Sequence, residues 1–262
     1  MDLGLTGRTA VVTGGSSGIG LACVELLLAE GANVVACGRD ASRLAGALTP
    51  LAARHGDRLT WSVADVLDPD QVVPLVGLAE DTYGGVDLLV NNAGRSLMST
   101  FRETSDEQWR DELDLKFFGV INPLRAAMAS LTESEVGAVV NVNAVLARQP
   151  EGRLVATSAA RAGLLNLSKS LAGELAADRI RVNSVCVGLI DTGQWKRRHD
   201  AADTTLDYDD WSAEIAADRG IVLGRFGRAP EVAAAIVFLL SEQASYITGT
   251  HIDVAGGVSR YV

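Results

Sequence analysis

Short apolar runs alternate along the chain with longer stretches whose apolar positions recur every three or four residues. Seven runs read as strands: Thr9–Thr13, Asn33–Cys37, Arg58–Val63, Val86–Val90, Ala138–Val142, Arg181–Val187 and His251–Val254. Most are continuously apolar rather than alternating, the mark of parallel strands covered on both faces. Helices are predicted between them. Gly18–Glu30 places Leu21, Val24, Leu27 and Leu28 on one face, and Gly31 supplies a stop. Further helices are expected over Ala41–Arg54, Pro69–Tyr83, Glu107–Leu131 and Thr157–Ala177. Pro230–Leu240 begins on proline, where a missing N–H costs nothing. With right-handed crossovers this alternation predicts a Rossmann-type doubly wound α/β fold, a parallel sheet of about seven strands with helices on both faces. No linker divides the chain, so residues 1–262 are expected to form a single domain.

One stretch breaks the rhythm. Gly193–Gly224 carries Trp195, Lys196, Arg197, Arg198, His199 and Trp211, with an acidic patch over Asp207–Asp210. It falls between the sixth strand and the last helix, near the carboxyl ends of the strands, where such sheets bind ligands. Two readings stay open, a solvated helical insertion and a lid over a substrate. Its cations and aromatics suit an anionic or aromatic small molecule, although such clusters are usually solvated.

Composition narrows the classes. The chain is 48% hydrophobic and 21% charged, which supports a packed core and excludes bulk disorder. Twenty-three basic against 33 acidic residues leave a net charge of −10, which argues against a nucleic-acid partner and for a cytoplasmic protein. No uncharged apolar run is long enough to span a bilayer, so no membrane role is expected. Asp2 and the early glycine loop argue against a signal peptide. Cys23, Cys37 and Cys186 lie in apolar runs without CxxC spacing and read as buried thiols. His55, His199 and His251 are far apart in sequence, so no metal site is expected.

The strongest local motif joins the first strand to the first helix: Thr13-Gly14-Gly15-Ser16-Ser17-Gly18-Ile19-Gly20. Glycines let the backbone approach a pyrophosphate, and the helix start aims free N–H groups and a positive dipole end at it. Asp65-Val66 follows the third strand, and Asn91-Asn92-Ala93-Gly94 follows the fourth. Ile180–Thr192, Thr248-Gly249 and Asp253–Gly257 complete a series of motifs in one order. Together they resemble the short-chain dehydrogenase/reductase family over essentially the whole chain. The resemblance implies that Gly14, Ser16, Ser17, Gly18, Ile19 and Gly20 cradle a pyrophosphate. It implies Asp65 at the adenine edge with Val66 beside it, and Asn92, Ala93 and Gly94 along a ribose. Gly188, Ile190 and Thr192 would hold the nicotinamide end, with Val187 replacing the family's proline. It also implies a homo-oligomer, a tetramer or dimer.

The end of the second strand bears on the choice of cofactor. A carboxylate there accepts from the ribose 2′-hydroxyl of NAD and repels a 2′-phosphate. Here the stretch is Cys37-Gly38-Arg39-Asp40, so glycine stands at the acid position and Arg39 offers a guanidinium. NADP(H) is therefore favoured over NAD(H). Arg39 stacking on adenine or facing solvent, or Asp40 serving NAD, are the alternatives.

The resemblance fails where the family does its proton chemistry. That chemistry uses Asn, Ser, Tyr and Lys, the last two as YxxxK on one helix face. None of Tyr83, Tyr208, Tyr246 and Tyr261 has lysine four residues on. Alignment on the flanking segments puts Thr157 at the tyrosine, Arg161 at the lysine, Ala144 after Asn143 at the serine, and Lys116 at the helix asparagine. An aliphatic hydroxyl is a poor acid beside a phenol, and arginine stays protonated. One arrangement that restores function puts Lys116 and Arg161 together in one pocket. Lys116 is then a general acid or base, Arg161 holds a carboxylate or enolate-like oxygen, and Asn143 and Thr157 donate hydrogen bonds. The alternative is that the cations pair outward with acids such as Glu112 or Glu151. Three functions follow: an NADP(H)-dependent oxidoreductase of a carbonyl/alcohol substrate with non-standard proton-transfer residues, a non-redox lyase or isomerase, and an inactive cofactor-binding pseudoenzyme.

Overall fold

A computed structural model describes residues 2–261. In chain order it contains β1 (Thr9–Thr13), α1 (Gly18–Ala29), β2 (Asn33–Gly38), α2 (Ala41–His55), β3 (Leu59–Val63), α3 (Pro69–Tyr83), β4 (Leu88–Asn91) and α4 (Asp106–Glu133). Then come β5 (Ala138–Ala144), α5 (Val155–Glu174), β6 (Arg181–Val187), β7 (Ile190–Asp191), α6 (Gly193–Asp200), α7 (Tyr208–Asp218), β8 (Gly227–Arg228), α8 (Ala229–Leu240) and β9 (His251–Val254).

The sheet order is β3-β2-β1-β4-β5-β6-β9, parallel throughout, as the apolar runs predict. Side chains along each strand alternate between two cores. Ala10 and Val12 of β1 face Leu27 of α1, Leu44 of α2 and Ile236 of α8. Val11, between them, faces Leu75 of α3, Leu124 of α4 and Ala172 of α5. All five residues of β1 are buried. Each fully buried aliphatic side chain contributes about 1.5–3 kcal/mol, so this strand anchors both layers.

β4 starts at Leu88 rather than Val86. Asp87 instead ties the lower edge: its carboxylate accepts from the Thr9 amide at 2.8 Å and the Ser134 hydroxyl at 2.6 Å. The order reverses between β1 and β4, whose following helices leave on opposite faces. That opens a crevice at the carboxyl ends of the strands, the expected ligand position. Segment 193–224 resolves into α6 and α7, which return the chain to β8. A short pairing of β7 with β8, Ile190 opposite Gly227, fastens the base of this excursion. The apolar pattern of the sequence does not disclose this pair, because two-residue strands have no period to read. Phe226, Ile221 and Ala216 seat the excursion on Val145 and Cys186 at the end of the sheet.

Candidate active site

The crevice is a cavity of about 1410 Å³ running from the glycine loop to α6 and α7. At one end Gly14 and Gly18 take positive φ of 68° and 55°, which fold the loop beneath the start of α1. A Cβ on Gly14 would lie 2.9 Å from Asn92 Nδ2. Thr13 Oγ1 accepts from the amides of Asn92 and Ala93, both at 3.0 Å, locking the loop to the end of β4. The first turn of α1 has no acidic residue, and the Ser17 side chain makes no cap bond. The dipole end is therefore free to face an anion.

Ser16, Ser17 and Ile19 line the cavity beside those two glycines, and so do Asp65, Val66, Asn92, Ala93, Gly94, Gly188, Ile190 and Thr192. Gly20 is the exception and corrects the sequence expectation. It is buried beneath the loop, where an added Cβ would sit 2.2 Å from the Gly14 carbonyl oxygen and 2.5 Å from Asn92 Nδ2. There it lets α1 pack closely under the loop. Gly188 lines the cavity with its back to Ala255, whose Cα a Cβ would meet at 2.9 Å.

At the end of β2, Arg39 pairs with Asp65 at 3.6 Å and is two-thirds exposed. Asp40 caps α2: its Oδ1 accepts from the Arg43 amide at 3.0 Å and the Ser42 hydroxyl at 2.8 Å. Those bonds hold its carboxyl below the usual range. Gly38 packs on Leu44 and Ser16.

At the other end Thr157 and Arg161, one turn apart on α5, line the cavity, with Ala144 and Val142 beside them. Ser158 turns away, accepting from the Glu151 amide at 3.3 Å. The Thr157 hydroxyl donates to Glu112 Oε2 at 2.6 Å and accepts from the Leu97 amide at 3.0 Å. Lys116 Nζ donates to the same Glu112 oxygen at 2.7 Å and to the Arg95 carbonyl at 2.7 Å. The Lys116 and Glu112 side chains are each only 2% exposed, and neither lines the cavity. The expected pairing of Lys116 with an acid therefore occurs, but inward rather than toward solvent, directly behind Thr157. Burial and the Arg161 charge pull the Lys116 pKa down to about 8, against the opposing pull of Glu112.

Arg161 donates from one terminal nitrogen to the Val142 carbonyl at 2.7 Å. Its Nε is enclosed without a partner, and among the described residues no carboxylate forms an ion pair with it. Burial lowers its pKa, with Glu112 opposing. Asn143 is not a cavity group. Its amide donates to the Arg161 carbonyl at 3.1 Å and its oxygen accepts from the Ala144 amide, so it braces β5 against α5. Glu112 is the member sequence reasoning did not place in the site. Its spacing of four from Lys116 was the available signal. The three thiols are buried and free, and burial raises their pKa.

Comparisons with known proteins follow this geometry. The family model described as enoyl-(acyl carrier protein) reductase matches residues 14–259. A 3-oxoacyl-(acyl-carrier-protein) reductase of Chlamydia muridarum is 32% identical over 255 residues, covering 97% of this chain and 98% of the relative. The chain belongs to the short-chain dehydrogenase/reductase family. This family of oxidoreductases accounts for the strand order and the loop. An NADPH-bound short chain oxidoreductase from Pseudomonas aeruginosa PAO1, containing an atypical catalytic center, is 50% identical, with a TM-score of 0.95 and 99% of each chain covered. L-Sorbose reductase from Gluconobacter frateurii, complexed with NADPH and L-sorbose, is 33% identical with a TM-score of 0.95 over 100% of both chains. Among the described residues no helix is long and apolar enough to cross a membrane.

Proposed function

We propose that the protein is an NADP(H)-dependent oxidoreductase of a carbonyl/alcohol pair, with a rebuilt proton-transfer site. The observation that carries this reading is one continuous cavity, from a dinucleotide-type loop to a floor holding Arg161 and Thr157. Glycine at position 38 removes the acid that would repel a 2′-phosphate, and Asp40 is committed to its helix cap. Arg39, exposed at the rim, is then the phosphate partner once it leaves Asp65. The NADPH of the Pseudomonas and Gluconobacter neighbours supports the same choice.

When bound, NADPH supplies a hydride to the carbonyl carbon. Arg161 receives the negative charge that develops on the carbonyl oxygen, since its guanidinium has no carboxylate partner among the described residues. At rest Lys116 Nζ and the Thr157 hydroxyl both donate to Glu112 Oε2, at 2.7 and 2.6 Å. The Thr157 hydroxyl turns to the alkoxide and gives it its proton, Glu112 takes a proton from Lys116, and Glu112 returns that proton to Thr157. Lys116 ends neutral and the alkoxide becomes an alcohol. Segment 193–224 acts as the lid, and the exposed Leu113 and Phe118 on α4 suit a homo-oligomer contact.

The test is calorimetric titration with NADPH and NADH, followed by transfer of deuterium from labelled NADPH to a carbonyl panel. Tighter NADPH binding and label in the product are expected. Absence of transfer despite binding would favour the second reading, a non-redox lyase or isomerase or an inactive binder. One observation favours that reading: no tyrosine lines the cavity among the described residues, and Thr157 is fully engaged on its buried side.

A further inference from the structure

Eight arginines and four carboxylates line the cavity, in a chain whose net charge is −10. Arg39 and Arg43 at the adenine end are balanced by Asp40 and Asp65. The excess positive charge therefore lies entirely at the end bounded by Arg161, α6 and α7. There, Arg219 pairs with Glu151 and Arg95 with Asp111. Arg198 has no carboxylate within ion-pair distance among the described residues. It is half-buried, its guanidinium carbon 4.5 Å from the Trp195 ring centre. Trp195 is fixed in turn by Phe226, with centroids 4.8 Å apart. Stacking orients the guanidinium without neutralising it.

A second observation points the same way. Ser96 Oγ accepts from Gln194 Nε2 at 2.8 Å and from an Arg198 terminal nitrogen at 3.3 Å. Both lone pairs of that oxygen are used, so its O–H is left to donate. Ser96, Gln194 and Arg198 all line the cavity. The cluster thus presents donors and asks for an acceptor-rich partner. Its place is fixed by the chain: Leu97, the next residue after Ser96, gives its amide to Thr157. The donors therefore stand beside the reacting end of the cavity.

We propose that Arg198, Ser96 and Gln194 form a recognition site for an anionic group of the substrate, so that the protein acts on a carbonyl compound bearing a carboxylate or phosphate near its carbonyl. This rests on the redox reading for the word substrate, but the site itself is a binding site and is tested as one. In the anion's position, Arg198 donates the charge-assisted bonds, Ser96 adds its hydroxyl, and Trp195 covers the ligand's apolar body.

The experiment is tryptophan-fluorescence titration of the NADPH-loaded full chain with benzoylformate, its methyl ester, and phenyl phosphate. Benzoylformate is expected to bind about tenfold or more tighter than the ester, the scale of one charge-assisted hydrogen bond. Arg198→Met should abolish that preference while leaving ester affinity and NADPH affinity within about twofold. Arg198→Lys should restore part of it. Preferential binding of phenyl phosphate over benzoylformate, lost in Arg198→Met, would support the same site and assign the anion as phosphate. Equal binding of acid and ester, or a preference that survives Arg198→Met, would overturn the inference. A loss of NADPH affinity in Arg198→Met without loss of acid preference would also overturn it, by giving Arg198 to the cofactor. Hydride transfer is scored separately: anion-selective binding without transfer refutes the redox reading and leaves the binding site standing.

Discussion

At the scale of single residues the site turns on Lys116, Glu112 and Arg161. If Lys116 is the proton source, reduction needs its ammonium form. Activity should then hold below about pH 8 and fall as pH rises through that value, whereas alcohol oxidation should rise through it. Lys116→Met should remove the limb and lower kcat by about 10²–10⁴-fold; a pH–rate profile in both directions checks it, and an unchanged profile would refute the relay. Glu112→Gln keeps the shape but loses the charge between Lys116 and Arg161. The relay loses the carboxylate it passes through, so kcat should fall, and because Glu112 raises the Lys116 pKa the limb of the remaining activity should shift to lower pH. A merely structural Glu112 would weaken stability without moving the limb. Sequence reading reached Lys116, Thr157 and Arg161 through their positions in a familiar pattern. It named Glu112 only as an outward partner, because a Glu–Lys pair four apart looks the same whether it faces solvent or core. The motif marks Gly20, but only coordinates disclose why: a Cβ there would lie 2.2 Å from the Gly14 carbonyl oxygen. Gly20→Ala should therefore disturb the loop and weaken dinucleotide binding by at least about tenfold, measurable by calorimetry.

At the scale of elements, the strands were legible because burial on both faces leaves continuous apolar runs, and six helices were legible because they carry an apolar stripe. Boundaries moved where caps decide them. α4 begins at Asp106 because Ser105 and Gln108 close a reciprocal capping box; α5 begins at Val155, two residues before the predicted start, with no side-chain cap at Leu154. The excursion was legible as an interruption but not as two helices. Its order comes from long-range contacts: His199 lies between Tyr208 and Trp211, and the Tyr208 hydroxyl donates to Asp191 at 2.6 Å. Burial and that bond raise the Tyr208 pKa, and the bond clasps the start of α7 to β7, at the foot of the excursion. Tyr208→Phe keeps the ring contacts and removes the clasp. A lost hydrogen bond of about 1 kcal/mol corresponds to roughly a fivefold larger open population. Limited proteolysis within residues 201–207 should accelerate by that factor, because cleavage tracks the opened state. Rates equal to wild type would mean that the aromatic cluster alone holds the segment.

At the scale of the whole molecule, the cavity separates what the sheet order has already divided. The glycine loop follows β1, the Arg39 turn follows β2, Asp65 follows β3 and Asn92 follows β4, while Arg161 and Thr192 come from beyond β5 and β6. A dinucleotide lying across these turns would join both halves of the sheet and the foot of the lid. Binding to the folded state alone stabilises it by mass action, about 2.7 kcal/mol when free ligand is a hundredfold above Kd. For a chain of this size that is a rise in Tm of about 5–10 °C. NADPH should give this rise, and NADH at the same concentration a smaller one, because only the 2′-phosphate engages Arg39. Arg39→Gln should bring the NADPH rise down to that of NADH and leave the NADH rise unchanged. The single variant thus separates two quantities that the wild-type curve combines: the stabilisation common to any dinucleotide spanning the switch point, and the part owed to one guanidinium at the end of β2. If both cofactors raised Tm equally in the wild type, Arg39 would remain with Asp65 in the loaded protein and the phosphate preference would fall, while the loop's affinity for the pyrophosphate would stand.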